Sequence, residues 1–488
     1  MDDGFNTGRF ILISVLLFAI LIIWQTLFFR SAPQQPTPSV QDTVKTAEVR
    51  EVQQEPQVVT DPLFTVKTKL YTTTFSKSGG MVSYKIGKVG NLSDIELVDD
   101  GSIAWGEVGI SYSLPQDAAT EYIVDKDTLT ITLVDSSKNL EKRITFYPDK
   151  YLIDMSLKGD EIPATTFTGK MKFTEENVKL EKSVYSYIVR TEKTIKMPLA
   201  KFKENKEYDL NQVTWFGIRT KYFLSSILNL KEKGSVVFSP GGVSFKTSSG
   251  NYSIYFGPLD YTILRKHNTS LGAAFDFGAA IIKPFSMAIY FLMQFLNKFI
   301  SNFGFVIVVF ALLMKILFFP LTRSTVLTSK RMQELKPKLE TIQKIYKDNP
   351  QKLQQEMMDL YKKYKINPFS GCLTLIIQMP IFFALYQILN NSVNLKGAPF
   401  ILWIRDLSTK DPYYILPILM GVTSILLSRI QQQGADTQTK ILMYFMPVLM
   451  VFIFLSLPSG IVLYWLTFNV FGVFEALLIK RLEGRHGT

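Results

Sequence analysis

The sequence predicts a polytopic α-helical membrane protein with six spans, five of them forming a helical core, and a large extracytoplasmic antiparallel β-sandwich domain. Three observations predict it. Charged residues are 20% of the 488 and hydrophobic ones 47%, whereas soluble domains run nearer a quarter charged. The shortfall is local: much of residues 271–480 is almost devoid of charge, while 60–270 is ordinary. Within 61–266, short stretches alternate apolar and polar residues, the period of a half-buried strand. A soluble enzyme of two or three domains is thereby excluded.

Phe10 to Phe29 is a run whose only strongly polar member is Gln25. At about 20 residues it is long enough to cross a ~30 Å hydrocarbon core. It is longer than a signal-peptide core and is followed by Arg30, so residues 1–30 read as an uncleaved anchor. Residues 31–60, rich in Pro, Gln, Thr and Val, read as a flexible linker. In 61–266, the segments Thr128–Leu133, Arg143–Tyr147, Val243–Lys246 and Tyr252–Phe256 alternate between turn signals, which argues for an antiparallel sandwich. Residues 271–301 are apolar, yet Ser286, Tyr290, Gln294, Asn297 and Ser301 recur every three or four positions, opposite Phe285, Ile289, Leu292, Leu296 and Phe299. With Pro284 placed to start it, this reads as an amphipathic helix lying in the membrane interface.

Five spans follow in 303–480: about Phe303–Leu321, Cys372–Leu389, Tyr413–Ser428, Ile441–Leu457 and Gly460–Ile479. Pro458-Ser459-Gly460 leaves room only for a tight turn. Charge sets the orientation. Arg323 to Lys365 holds 11 Lys/Arg against 5 Asp/Glu, and Asn391 to Pro412 only three Lys/Arg, while residues 481–488 form a basic tail. Both termini and the basic segment are therefore expected in the cytoplasm, with the β-domain outside. The basic segment, 323–366, carries two apolar stripes. One is Met332, Leu335, Leu339, Ile342 and Tyr346; the other is Leu353, Met357, Leu360 and Tyr364. Asp348-Asn349-Pro350 breaks the chain between them. This predicts an antiparallel helical hairpin, its first helix bent or restarted by Pro337.

Little here suggests covalent chemistry. Cys372 is alone, His267 and His486 belong to no metal-spacing motif, and no nucleotide-binding loop is present. The residue that stands out is Lys315, the sole charge in its span. It lies seven residues before Thr322, or ~10 Å below the cytoplasmic edge. Two readings stay open. The stem could lift its ammonium to the headgroups, or the cation could sit in a wet cavity, since a lipid-facing charge costs ~3 kcal/mol or more. Gln378 and Gln387 in one span, and Tyr464, Thr467 and Asn469 in another, add polar groups at depth. Such groups serve either as interhelical glue or as the lining of a hydrated groove. The cation is expected to have no acidic partner inside the spans. Pro320, Pro380, Pro417 and Pro447 add a weak hint of bent helices.

The segments Leu375–Tyr386, Ala398–Leu407 and Asp411–Met420, with Phe319-Pro320-Leu321-Thr322, Asn367-Pro368 and Pro458-Ser459-Gly460, resemble the signature of the YidC/Oxa/Albino family of membrane protein insertases. The likeness covers roughly 300–480, and the anchor and β-domain fit the Gram-negative arrangement. The resemblance implies a non-enzymatic insertase and chaperone of the bacterial inner membrane, without cofactor. Its partners would be nascent membrane proteins, the Sec translocon, the ribosome and anionic lipids, and a monomer is the working expectation. It also implies a hydrophilic substrate groove, here comprising Lys315, Gln378, Met446, Tyr464, Trp465 and Thr467. The hairpin residues Lys330, Arg331, Lys336, Lys338 and Lys344, and the loop Gln431–Thr439, would lie near the ribosome. Family members carry Arg where this chain has Lys315, so positive potential is retained but the bidentate fork is not. A transporter or channel that attracts anions through Lys315 is the competing reading.

Overall fold

The computed structural model describes residues 60–485 apart from 169, 175–177, 231–232, 249, 365–369 and 432–436. The expected anchor at Phe10–Phe29 and the motif Asn367-Pro368 lie outside the described residues, as does most of the loop Gln431–Thr439. The described chain forms two compact units, residues 60–86 with 95–257, and residues 87–94 with 258–485.

The first unit is a β-sandwich of a ten-stranded and an eight-stranded sheet. Most neighbouring strands pair antiparallel, and Pro62–Lys67 runs parallel to Glu121–Ile123. Leu129–Asp135 and Leu140–Phe146 alternate buried and exposed positions as their sequence predicts. Asn251–Pro258 does not. It lies inside the eight-stranded sheet, between Phe223–Leu228 and Leu152–Lys158, and is buried at every position after the first. A central strand covered on both faces loses the alternation on which the sequence reading relied. The short helix α1 (Val178–Val184) is the one α-helix described in this unit.

The two sheets are joined by aromatic packing and by buried polar contacts. Trp105 Nε1 on one sheet donates to Ser225 Oγ on the other at 2.8 Å, and Tyr84 Oη donates to the Phe256 carbonyl at 2.6 Å. Lys142 and Glu107, both fully buried, pair at 2.8 Å to each carboxylate oxygen. The Lys142 ammonium also donates to Gly79 O at 2.6 Å, and Thr165 and Tyr252 hydroxyls lie 3.3 Å from Glu107 Oε1. Burial pushes the Glu107 carboxyl up and the Lys142 ammonium down, and their mutual contact opposes both shifts.

In the second unit, α2 (Tyr261–His267) is capped by Asp260, whose Oδ1 accepts from the Thr262 and Ile263 amides at 2.9 and 3.1 Å. α3 (Lys283–Asn297) starts at a proline as expected. Its polar stripe turns inward: Ser286 and Tyr290 are buried, and Tyr290 Oη donates to Asp260 Oδ2 at 2.9 Å. Phe285, Phe291, Phe295 and Phe299 are exposed, while Ile289, expected on the apolar face with Phe285 and Phe299, is buried. Burial pushes the Asp260 carboxyl up against the pull of its hydrogen bonds.

The long helix α4 (Phe303–Ile345) has 43 residues and runs unbroken through Pro320 and Pro337. Of the bend or restart expected at Pro337, the restart does not occur. The span and the first arm of the hairpin are one helix, ~65 Å long at 1.5 Å per residue, about twice a hydrocarbon core. α5 (Pro350–Lys363) returns against it, with Asn349 as N-cap. Leu335, Leu339 and Tyr361 form the seam, with Met332, Met357 and Leu360 against it. The remaining helices are α6 (Ser370–Asn391), α7 (Ile415–Gln431), α8 (Thr437–Phe454) and α9 (Ser459–Arg485). Among the described residues, α4 and α9 are each long and apolar enough to cross a membrane.

Replacing Lys142 with Met strands Glu107 in the sandwich core. Equilibrium unfolding should show a loss of about 3–5 kcal/mol, partly recovered in the Lys142→Met, Glu107→Gln double variant. An unchanged midpoint for the single variant would contradict this account of the core.

Candidate functional site

The site is built on α4 and α9. Phe310 meets Tyr464 with ring centroids 5.7 Å apart, Lys315 meets Phe468, and Val326 clusters with Ala476 and Ile479. Positions rise together along both helices, so α4 and α9 run parallel. α7 also runs parallel to α9. Asn469 Nδ2 donates to Ser424 Oγ at 2.6 Å, and farther along Ile430 clusters with Ala476 and Ile479. α8 runs antiparallel to α7, with Gly421 against Val451 and Arg429 against Tyr444.

Lys315 is buried, and its ammonium points at α9. Nζ lies 4.0 Å from the centre of the Phe468 ring and 3.5 Å from Glu475 Oε2, the two charged side chains being 7% and 9% exposed. Gly472 makes room for it: a Cβ there would lie 2.7 Å from Nζ and 3.0 Å from Leu427 Cδ2. The expectation of a cation without an acidic partner inside the spans is therefore corrected. Glu475 sits within Gly460–Ile479, five residues before the basic pair Lys480-Arg481. A lysine stem that rises toward the helix ends here finishes on a carboxylate.

The other expected groove residues divide. Gln378 Nε2 on α6 donates to Tyr464 Oη at 3.0 Å, and both side chains are buried. Phe382, one turn beyond Gln378, packs edge-on against Trp465 at 5.2 Å. Tyr464 touches the Phe468 ring that also bears the ammonium, so Gln378, Tyr464 and Lys315 are linked by contact. Trp465, Thr467 and Met446 are part-buried on α9 and α8. Gln387 donates to the Asp276 carbonyl at 3.1 Å. Lys330, Arg331, Lys336, Lys338 and Lys344 are exposed along the distal half of α4, and Lys338 Nζ donates to the Tyr364 hydroxyl.

Sequence reasoning missed the end of the helical unit that fixes these positions. Asp411 accepts from Trp403 Nε1 at 3.0 Å and from the Leu416 amide at 2.7 Å, tying the loop to the start of α7. The Ser459 and Gly460 amides donate to Thr409 O and Leu407 O at 2.6 and 2.9 Å, which pins the start of α9. Asn302 caps α4 and donates to Pro399 O at 3.0 Å. Three segments singled out as signature motifs thus meet at one loop.

A family model described as the 60Kd inner membrane protein matches residues 295–485. The membrane protein insertase YidC of Syntrophus aciditrophicus is 33% identical over 471 residues, covering 86% of this chain and 84% of its own. The chain belongs to the YidC family of membrane protein insertases. The YidC of Geobacter metallireducens is 31% identical over 466 residues, covering 85% of each chain. Among solved structures, an active YidC insertase with its first transmembrane domain resolved aligns over 85% of this chain and 94% of its own, at 19% identity and a TM-score of 0.41. The YidC family is one of insertases rather than enzymes. The full-length relatives cover the β-sandwich unit as well as the helical one.

Gly472→Val should force the ammonium away from α9 and wedge α9 from α4 and α7. The cost expected from overpacking is about 1–3 kcal/mol, visible as a lower melting temperature of the purified protein in detergent. Gly472→Ala should cost less. If the valine variant melted like the parent, the close approach at Gly472 would be wrong.

Proposed function

We propose that the chain inserts nascent proteins into the bacterial inner membrane through a hydrophilic groove at Lys315, by a physical rather than a covalent route. Six spans place both termini and the α4–α5 hairpin in the cytoplasm and the β-sandwich in the periplasm, and α3 lies in the interface. The observation that carries the reading is a lysine ammonium buried among helices at membrane depth, aimed at α9 and not at lipid. An ammonium so placed is an electrostatic foothold for an acidic residue in the polar tail of a client crossing the membrane. The polar side chains of Gln378, Tyr464 and Thr467 shorten the apolar path, with Trp465 and Met446 beside the client's apolar segment.

The driving terms are adequate for short tails. Each Leu or Ile of the client span that partitions into lipid contributes ~0.3–0.6 kcal/mol. The membrane potential adds ~2.3 kcal/mol per negative charge moved outward per 100 mV. A long, highly charged tail exceeds these terms, and cooperation with the Sec translocon is the natural remedy. The exposed Lys330, Arg331, Lys336, Lys338 and Lys344 make the hairpin a docking arm for ribosomal RNA or anionic headgroups, with salt-dependent affinity. A monomer suffices for this mechanism.

Insertion of a single-span client with an acidic tail into reconstituted vesicles tests the reading. Lys315→Arg should insert within about twofold of the parent, and Lys315→Ala should fall roughly tenfold, equivalent to ~1.4 kcal/mol. The alanine variant also strands Glu475, so the decisive case is Lys315→Ala with Glu475→Gln, which removes both charges. That variant should remain impaired on acidic tails. Normal insertion by it would show that attraction to the cation plays no part.

A further inference from the structure

Among the described residues, two lysine–carboxylate pairs have both side chains less than 10% exposed, and they are built differently. In the β-sandwich, the Lys142 ammonium has both oxygens of Glu107 at 2.8 Å and a backbone carbonyl at 2.6 Å. In the helical unit, Lys315 meets one oxygen of Glu475 at 3.5 Å, well beyond the ~2.7–2.9 Å of a charge-assisted hydrogen bond. Neither Glu475 oxygen has a hydrogen bond of normal geometry among the described residues. The Thr322 hydroxyl beside them donates to the Phe318 carbonyl at 3.3 Å. The other side of the Lys315 ammonium rests on the Phe468 ring, a contact that uses no directed N–H.

The Lys142 pair is a closed lock, and the Lys315 pair is loose, with donor capacity to spare. Both members of the loose pair are nevertheless shielded from water, so each needs the other whenever no third charge is present. Building on the reading that Lys315 attracts acidic clients, we infer that Glu475 is the resident counter-ion of the groove and the residue that sets its charge selectivity. A client carboxylate must displace Glu475 from the ammonium, and when the client leaves into lipid the internal pair re-forms. The resting site is then close to neutral. A client with one acidic residue competes at even terms with Glu475, one with two or three outcompetes it, and a basic tail finds no net attraction or repulsion.

The test is a series of one client whose translocated tail carries zero, one or three acidic residues, inserted into vesicles by the full-length protein. The parent should favour three over one. Glu475→Gln should raise insertion of the single-acid client by roughly threefold or more, bringing it level with the three-acid client, as removal of a close charged competitor would. Glu475→Asp keeps the charge but withdraws it by one methylene, and should shift the series the same way by less. Melting temperatures of both variants report whether folding is intact, and the ratio between clients cancels any loss of active protein. If both variants leave the ratio unchanged while Lys315→Ala with Glu475→Gln abolishes it, the counter-ion role is wrong and the cation reading stands. If that double variant also leaves the ratio unchanged, the cation reading fails and the counter-ion role falls with it.

Discussion

A charge inside a bilayer cannot be left without company, and the helical unit is arranged around that constraint. An unpaired ammonium facing hydrocarbon costs several kcal/mol, so Lys315 must be supplied with a counter-charge, a polarisable surface or water. Here it has the first two, Glu475 and the Phe468 ring, both on α9. The arrangement demands that α4 and α9 run side by side in the same direction and approach closely at one level. Gly472 permits the approach, and the Ser459–Gly460 turn sets the level by hanging α9 from the loop that Asp411 and Trp403 hold.

The polar groups around the cation serve structure and function together. Gln378 with Tyr464, and Asn469 with Ser424, are satisfied across helices in the manner of membrane-bundle glue. Their pairing satisfies these four side chains, whereas the two oxygens of Glu475 have no such bonds among the described residues. The β-sandwich shows what the same chain does with an ion pair meant only to hold: it closes every contact at Lys142 and Glu107.

The legible parts of this protein are those where one physical signal dominates. The apolar runs at 303–321 and 460–479 declared themselves through lack of charge, and the hairpin seam of Leu335, Leu339, Met357 and Leu360 through its spacing. Strands such as Leu129–Asp135 showed themselves by alternation, and Asn251–Pro258 did not, because both its faces are covered. Pro337 does not end its helix, since a proline in a long helix forfeits one hydrogen bond without terminating it when tertiary packing continues on both sides. On α3, the spacing revealed two faces but not which one the protein would claim; Asp260, distant in sequence, decided it. Glu475 was hidden by its place near the basic end of a span, where a carboxylate is easily assigned to headgroups. Only the register of α9 against α4 brings it to Lys315.

The central claim is that the Lys315 position, though buried among helices, communicates with the cytoplasm through a polar path. The most direct measurement is thiol labelling of Lys315→Cys in a Cys372→Ser background, in inverted membrane vesicles, with a membrane-impermeant maleimide. The account predicts modification from the cytoplasmic face and its suppression when a stalled nascent chain occupies the protein. Labelling only by a lipid-soluble reagent, indifferent to the nascent chain, would contradict it.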